Sequence, residues 1–259
     1  MTEPLLIAER EGDIALLKIN RPDKRNAISD ALIAQLGDYF ASPPPDARVI
    51  VLHGEGAHFC AGLDLIERME KRSKNPLEGL RHSRGWHRVF NLIQFGEVPV
   101  ISVLKGGVIG GGLELASSTH IRVSEASTFY QLPEGQRGIF VGGGASVRVP
   151  RIIGAGRMVE MMLTGRRYSA AEGLSLGLSH YVVDDGAGLA KAMELAANVA
   201  SNAPASNYAI VNGIARIADM PFDAGLFAES MVASMTGAAA DGDKRIAAFF
   251  EQRRQARQA

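Results

Sequence analysis

The amino-acid sequence predicts an α/β protein, and three observations carry that prediction. Short runs of β-branched residues and leucine recur at 14–19, 49–52, 99–104, 121–123 and 181–183, separated by helical or glycine-rich stretches. Beyond Leu189 the chain turns alanine-rich, with amphipathic segments at 189–202, 204–218, 221–236 and 241–254. The 259 residues are 46% hydrophobic and 22% charged, enough apolar surface to bury a full core and too much for a disordered chain.

Taken in order, residues 5–8 and 14–19 flank the turn-like Glu11-Gly12-Asp13 and predict an opening hairpin. Ser29 precedes an apolar-periodic run and fits an N-cap for a helix reaching Phe40, where Pro43-Pro44-Pro45 stops it. The run at 49–52 reads as a buried strand, as do those at 99–104, 121–123 and 181–183. Residues 69–84, rich in Lys and Arg and carrying Ser73, Asn75 and Pro76, are expected to form a mobile loop. Pro204 and Pro221 sit at first-turn positions of two of the late helices, whose apolar faces suit either the chain's own core or a neighbouring subunit.

Charge and composition narrow the function. Lys plus Arg equals Asp plus Glu at 28 each, so no global field favours nucleic acid or a membrane surface, and charge recognition must be local. The single cysteine, Cys60, can build neither an intramolecular disulfide nor a thiolate zinc site, which fits a reducing, cytoplasmic setting. The first ten residues lack the basic start and apolar run of a secretory signal, and the apolar region 98–116 is broken by Lys105, Glu114 and repeated glycines, against a membrane span. No Gly-x-Gly-x-x-Gly, phosphate loop or His-Glu-x-x-His occurs, the six histidines show no ligand spacing, and Ser146 lacks the following glycine of a nucleophile elbow. Neither a metal nor a cofactor is expected.

What the chain does carry is a glycine triplet, Gly110-Gly111-Gly112, running into Leu113-Glu114-Leu115, with a second acid, Glu134, 20 residues later. Glycines let backbone amides approach a ligand without a side chain between. Two carboxylates near such a loop suit an acid–base pair. A second small-residue loop, Cys60-Ala61-Gly62-Leu63-Asp64, follows the strand at 49–52. Read together, the loops supply one amide each, from near Leu63 and near Gly111, to an oxygen that becomes negative during reaction. The alternative is two ordinary strand-to-helix turns.

These motifs, in order, resemble the crotonase superfamily and its enoyl-CoA hydratase and isomerase branch. The matching segments are Asn20-Arg21-Pro22 with Asn26-Ala27, Phe59 to Asp64, Gly110 to Leu115, Pro133-Glu134 with Gly138, Leu163-Thr164-Gly165-Arg166, and Ala170-Ala171-Glu172-Gly173. The resemblance implies a spiral of repeated ββα units over residues 1–188, holding the CoA and catalytic site, and a helical oligomerisation region over 189–259 that forms a trimer or a pair of trimers. It implies an acyl-CoA substrate whose thioester oxygen lies against the Leu63 and Gly111 amides, with coenzyme A part of the substrate. Glu114 resembles the glutamate that activates water, and Glu134 the one that exchanges a proton with the α-carbon. Ala61 and Gly62, with Asp64 and Gly110, frame the substrate. Lys24 and Arg25 are candidates for the CoA phosphates, Trp86 for a wall of the acyl pocket, and Gly142 for a loop glycine beside it.

The resemblance implies hydration of a trans-2-enoyl-CoA, with a double-bond isomerase using mainly Glu134, or a non-catalytic acyl-CoA binding protein, as the alternatives. Several positions depart from the family pattern. Thr119-His120 replaces Cys-Asp, Tyr130-Gln131-Leu132 replaces a Phe-Gly element, Val141 stands where proline is common, and Gln252 replaces a lysine, leaving Arg253 or Arg254 to reach CoA across a subunit interface. His120 reads as a structural replacement rather than a catalyst.

Overall fold

The computed structural model describes residues 4–71, 73–237, 250, 251 and 254. Two strands open the chain, β1 (Leu6–Glu11) and β2 (Ile14–Ile19), paired antiparallel about Gly12 with Leu6 opposite Ile19. Helix α1 (Asp30–Ala41) starts at Ser29, whose hydroxyl accepts a hydrogen bond from the Leu32 amide, and buries Leu32, Leu36 and Phe40 along one face. β3 (Val49–Gly54) follows, parallel to β2.

Most of residues 69–84 are helical, contrary to the loop expected there. Helix α2 (Leu65–Glu70) ends within them and α3 (Pro76–Gln94) takes up most of the rest. Asn75 caps α3 by accepting from the Leu77 amide, and Pro76 occupies the first turn, where its missing N–H costs nothing. Of the polar residues that suggested a loop, Ser73, Lys74 and Asn75 do lie in the link between the two helices, while Glu78, Arg81 and Arg84 lie on the exposed first half of α3; its second half buries Trp86, Phe90 and Ile93 at helical spacing.

From there the chain alternates between two sheets. β4 (Val100–Leu104) joins the large sheet, β5 (Gly107–Ile109) a small one, and α4 (Gly111–Ser117) returns the chain. β6 (Ile121–Glu125) and β7 (Phe129–Gln131) repeat that step before α5 (Ala145–Ile153) and α6 (Ala155–Thr164). β8 (Tyr168–Ser169), α7 (Ala170–Leu176) and β9 (Tyr181–Val183) close the core, α7 through a capping box between Ser169 and Glu172. The large sheet has the order β1-β2-β3-β4-β6-β9 and the small one β5-β7-β8. Every pair from β2 to β9 in the large sheet is parallel, which explains why these strands read as continuous apolar runs.

One core lies between the sheets and α1, α3, α4 and α5, including Leu17, Leu52, Phe59, Phe90, Leu104, Leu113 and Leu132. A second lies where α8 (Gly188–Ser201) covers the other face of the large sheet with Ala192 and Ala196 against Val51, Ile101, Val103 and Val123. α9 (Pro204–Ile217) and α10 (Phe222–Gly237) pack on each other and leave Ile214, Phe222, Phe227 and Met235 exposed. The helix expected at 241–254 falls outside the described residues except for 250, 251 and 254, and Gln252 and Arg253 are among those not described.

Candidate active site

Successive turns of the chain bring the two small-residue loops together. Cys60 forms a parallel bridge with Val108, at the start of the segment that ends in the glycine triplet. A parallel bridge also joins Ile28 to Leu63, in which the Ile28 amide donates to Gly62 O and the Asp64 amide donates to Ile28 O. That pattern uses the groups on either side of Leu63 and turns the Leu63 N–H away from Ile28. The Leu63 and Gly111 backbones lie side by side: a Cβ on Gly111 would sit 3.3 Å from Leu63 N, and a Cβ on Gly62 would sit 3.0 Å from Gly111 N. Gly62 has φ +89° and passes so close to Ile109 O that a Cβ would lie 2.6 Å from it. Only glycine meets both demands.

Each member of the triplet is small for its own reason. A Cβ on Gly110 would meet Glu134 Oε1 at 2.7 Å, one on Gly111 would meet Trp86 Cζ3 at 2.8 Å, and one on Gly112 would collide with Cys60 O. Gly110, at φ +52°, is also the residue from which α4 starts, and its carbonyl accepts the Glu114 amide.

Glu114 and Glu134 are both buried, at 4% and 6% exposure, yet their surroundings differ. Glu114 Oε1 accepts hydrogen bonds from the Gly143 amide (2.7 Å) and the Ala145 amide (3.1 Å) at the start of α5. Burial raises its carboxyl above the usual carboxylate range, opposed by those amides and by the nearby Arg148 guanidinium. Glu134 Oε2 has no hydrogen-bond partner among the described residues. Burial pushes the Glu134 carboxyl to about 7; its own backbone amide opposes that rise and the nearby Glu114 charge adds to it. One carboxyl thus has two amides from another segment aimed at its charge, and the other has its own amide and one unpartnered oxygen.

Trp86 reaches this site from α3, its ring against Gly111 and edge-on to Phe90 at 5.6 Å between centroids. Gly142 lies on the exposed loop ahead of α5 and its carbonyl accepts from Ser83 Oγ at 2.5 Å, tying the loop to α3. Asp64 turns its carboxylate to Arg21 (2.9 Å) and caps α2 by accepting from the Glu67 amide, so it braces the Leu63 turn from behind. Ala61 donates its amide to Arg25 O. Lys24 and Arg25 are exposed on the adjoining turn, where Arg25 and Asn26 hold φ +51° and +55°. Fully buried Asn26 fixes that turn by donating to Glu55 O and His58 O and accepting from the Arg21 amide. Lys24 also lines a cleft of about 380 Å³ with Arg21, Asp64, Glu67 and Glu70.

The departures near Glu134 are accounted for by packing. The Tyr130 hydroxyl pairs with Ser124 Oγ, and Gln131 Nε2 donates to Gly165 O, so their polar ends are taken up away from Glu134. His120 accepts the Val100 amide at Nδ1 and its Nε2 lies 3.0 Å from Gln94 O, both ring nitrogens serving the main chain. Among the described residues, no three His, Cys, Asp or Glu side chains assemble as a metal-ligand set, and no helix is long and apolar enough to cross a membrane.

With that geometry in place, comparison with known proteins decides the family. The sequence pattern of the family described as "Enoyl-CoA hydratase/isomerase" matches residues 9–258. The chain belongs to the enoyl-CoA hydratase/isomerase family. It is 31% identical over 254 residues to the enoyl-CoA hydratase EchA19 of Mycobacterium tuberculosis, covering 96% of this chain and 95% of that protein. A short-chain-enoyl-CoA hydratase of Clostridium acetobutylicum is 30% identical, with 96% and 95% covered. Among solved structures, a Rhodopseudomonas palustris CGA009 protein described as a candidate enoyl-CoA hydratase superposes with a TM-score of 0.92 at 49% identity, over 97% of this chain and 96% of that one. The enoyl-CoA hydratase of Bacillus anthracis gives 0.90 at 29% identity, over 96% and 97%. The fold is accordingly that of the crotonases, as the motifs implied.

Three residues at this hydratase/isomerase-family site escaped the sequence reading. Gly143 and Ala145 supply the amides that hold Glu114, and Arg148 secures their loop through a bond from Nη1 to Gly143 O. The signal was present as a second glycine triplet, Gly142 to Gly144, directly ahead of a helix. A cavity of about 990 Å³ lies beyond them, lined by His87, Ser117, Gly144 and Arg148 on one side and Val211 and Ile214 of α9 on the other.

Proposed function

We propose that the protein hydrates a trans-2-enoyl-CoA thioester to a 3-hydroxyacyl-CoA. The observation that carries this reading is the pair of buried glutamates in unlike environments, Glu114 held by the amides of Gly143 and Ala145, and Glu134 with one carboxylate oxygen unpartnered among the described residues and its proton held up to about pH 7 by burial. Ionised Glu114 takes a proton from water as its oxygen attacks the β-carbon. Protonated Glu134 delivers its proton to the α-carbon as the enolate collapses. The Leu63 and Gly111 amides hold the thioester oxygen while it carries the enolate charge, a stabilisation of about 3 kcal/mol per donor at sites of this kind. Coenzyme A enters as part of the substrate, with the Lys24–Arg25 turn beside Ala61 facing its phosphates.

Mixing the protein with enoyl-CoA esters of several chain lengths should abolish the ultraviolet absorbance of the conjugated thioester and add the mass of one water. Unchanged absorbance and mass across the panel would overturn the reading. Isomerisation is the second reading, favoured by a Glu134 carboxyl that burial holds near neutrality, where one group can both take up and return a proton. Glu114→Gln separates them: a hydratase loses nearly all turnover, an isomerase keeps most of it. The exposed apolar residues of α9 and α10 support assembly as a homotrimer or a pair of trimers, which light scattering tests.

A further inference from the structure

Arg148 is buried at 8% exposure, and no carboxylate lies within 4 Å of it among the described residues. A guanidinium in that position ordinarily has an ion-pair partner. Instead its donors go to neutral oxygens: Nε to Gln94 Oε1 (2.6 Å), Nη2 to Asn91 Oδ1 (2.7 Å) and Nη1 to Gly143 O (3.2 Å). Two of those partners lie on α3, so the side chain ties α3 to the loop that carries the Gly143 amide. Gly144, at φ +111°, leaves the space the guanidinium occupies, since a Cβ there would strike Nη1. The negative charge nearest in effect is Glu114, through space rather than through a bond.

We propose that Arg148 is a positioning residue for the reaction, fixing the Gly143 loop against Glu114 and keeping Glu114 the anionic member of the glutamate pair. The proposal rests on the hydratase reading and adds a division of labour to it. Two neighbouring carboxyls that share one proton have two tautomers, and only the one with the proton on Glu134 is ready to hydrate. The groups that face Glu114 are the Gly143 and Ala145 amides and Arg148 from α5, His87 from α3, and Glu134 across the site. Arg148 is the fixed cation in that set. Without it the proton moves toward Glu114, the ready tautomer becomes scarce, and kcat falls while KM, set by distant CoA contacts, changes little.

Arg148→Met removes the charge at similar length, Arg148→Lys restores it without the fork, and Asn91→Asp neutralises the guanidinium in place. The acid limb of the kcat/KM profile reports ionisation of Glu114 in the free enzyme. It should move up by about one pH unit or more in Arg148→Met and by less in Asn91→Asp, with partial return in Arg148→Lys. Should Arg148→Met not fold, Asn91→Asp carries the test. Infrared titration of the carboxyl band that disappears in Glu114→Gln follows the same ionisation without turnover, so the proposal is testable even if no enoyl-CoA is hydrated. An unmoved acid limb and unmoved infrared titration in folded Asn91→Asp or Arg148→Met would overturn the proposal. Inactive wild-type protein with a shifted infrared titration would overturn the hydratase reading alone.

Discussion

Replacing Glu134 with glutamine should make the protein more stable at alkaline pH while abolishing hydration. Burial lifts the Glu134 carboxyl from 4.5 to about 7, so the folded state holds its proton more tightly than the unfolded chain does. A group raised in this way contributes stability that is complete below about pH 4.5 and is lost as pH climbs through about 7. At about 1.4 kcal/mol per pH unit, the whole interval is worth about 3 kcal/mol, and about 2 kcal/mol of it falls between roughly pH 5.5 and pH 8.5. Glutamine has the same shape and no charge to bury. Urea unfolding at fixed protein concentration, at both pH values, should therefore show wild type losing about 2 kcal/mol more than Glu134→Gln. In the proposed reaction the same titration should set the alkaline limb of catalysis. Hydration takes up no net proton, so detailed balance requires kcat/KM for hydration and for dehydration to share one profile, falling about tenfold per pH unit above about 7. Equal pH dependence of stability in the two proteins, with a kcat/KM profile flat to about pH 9, would refute the reasoning.

Three further outcomes follow from close contacts. Gly143→Ala places a Cβ 2.6 Å from Glu114 Oε2 and 3.0 Å from Phe90 Cε2, and should lower hydration kcat by about a hundredfold. Proton exchange at the substrate α-carbon, followed by mass spectrometry in heavy water, should fall much less, because it uses Glu134. Gly62→Ala must hold φ +89° with a Cβ against the Ile109 carbonyl, and should cost about 3 kcal/mol in chemical denaturation and reduce kcat by moving Leu63 from Gly111. Cys60 is fully buried, and burial pushes its thiol to about 12, so a thiol-specific disulfide reagent at about pH 8 should label it only after denaturation.

Much of this was legible in the residues. Ser29 as a cap, the turn at Gly12 and the apolar runs at 49–52 and 99–104 follow from local rules, and the structure keeps them. The small sheet was harder to see. β5 begins with Gly107, and β8 is two residues long, so neither offers the repeated alternation that marks a strand. α3 was misread because its first half is solvent-exposed and polar, and the tertiary contact that secures it lies in Trp86, Phe90 and Ile93. At the site, the glycine triplet and its acids stood out, whereas the amides that hold Glu114 come from 29 and 31 residues away and depend on how α5 is docked.

The parallel bridge between Cys60 and Val108 has a consequence for how such a protein can vary. Neighbouring parallel strands stand about 4.8 Å apart whatever chain joins them. The separation of the Leu63 and Gly111 amides is therefore set by the pitch of the spiral and is indifferent to the residues between, which include all of α2 and α3. Insertions, deletions or wholesale replacement in the exposed part of that segment can redraw the surrounding surface and leave the spacing of the two amides unchanged.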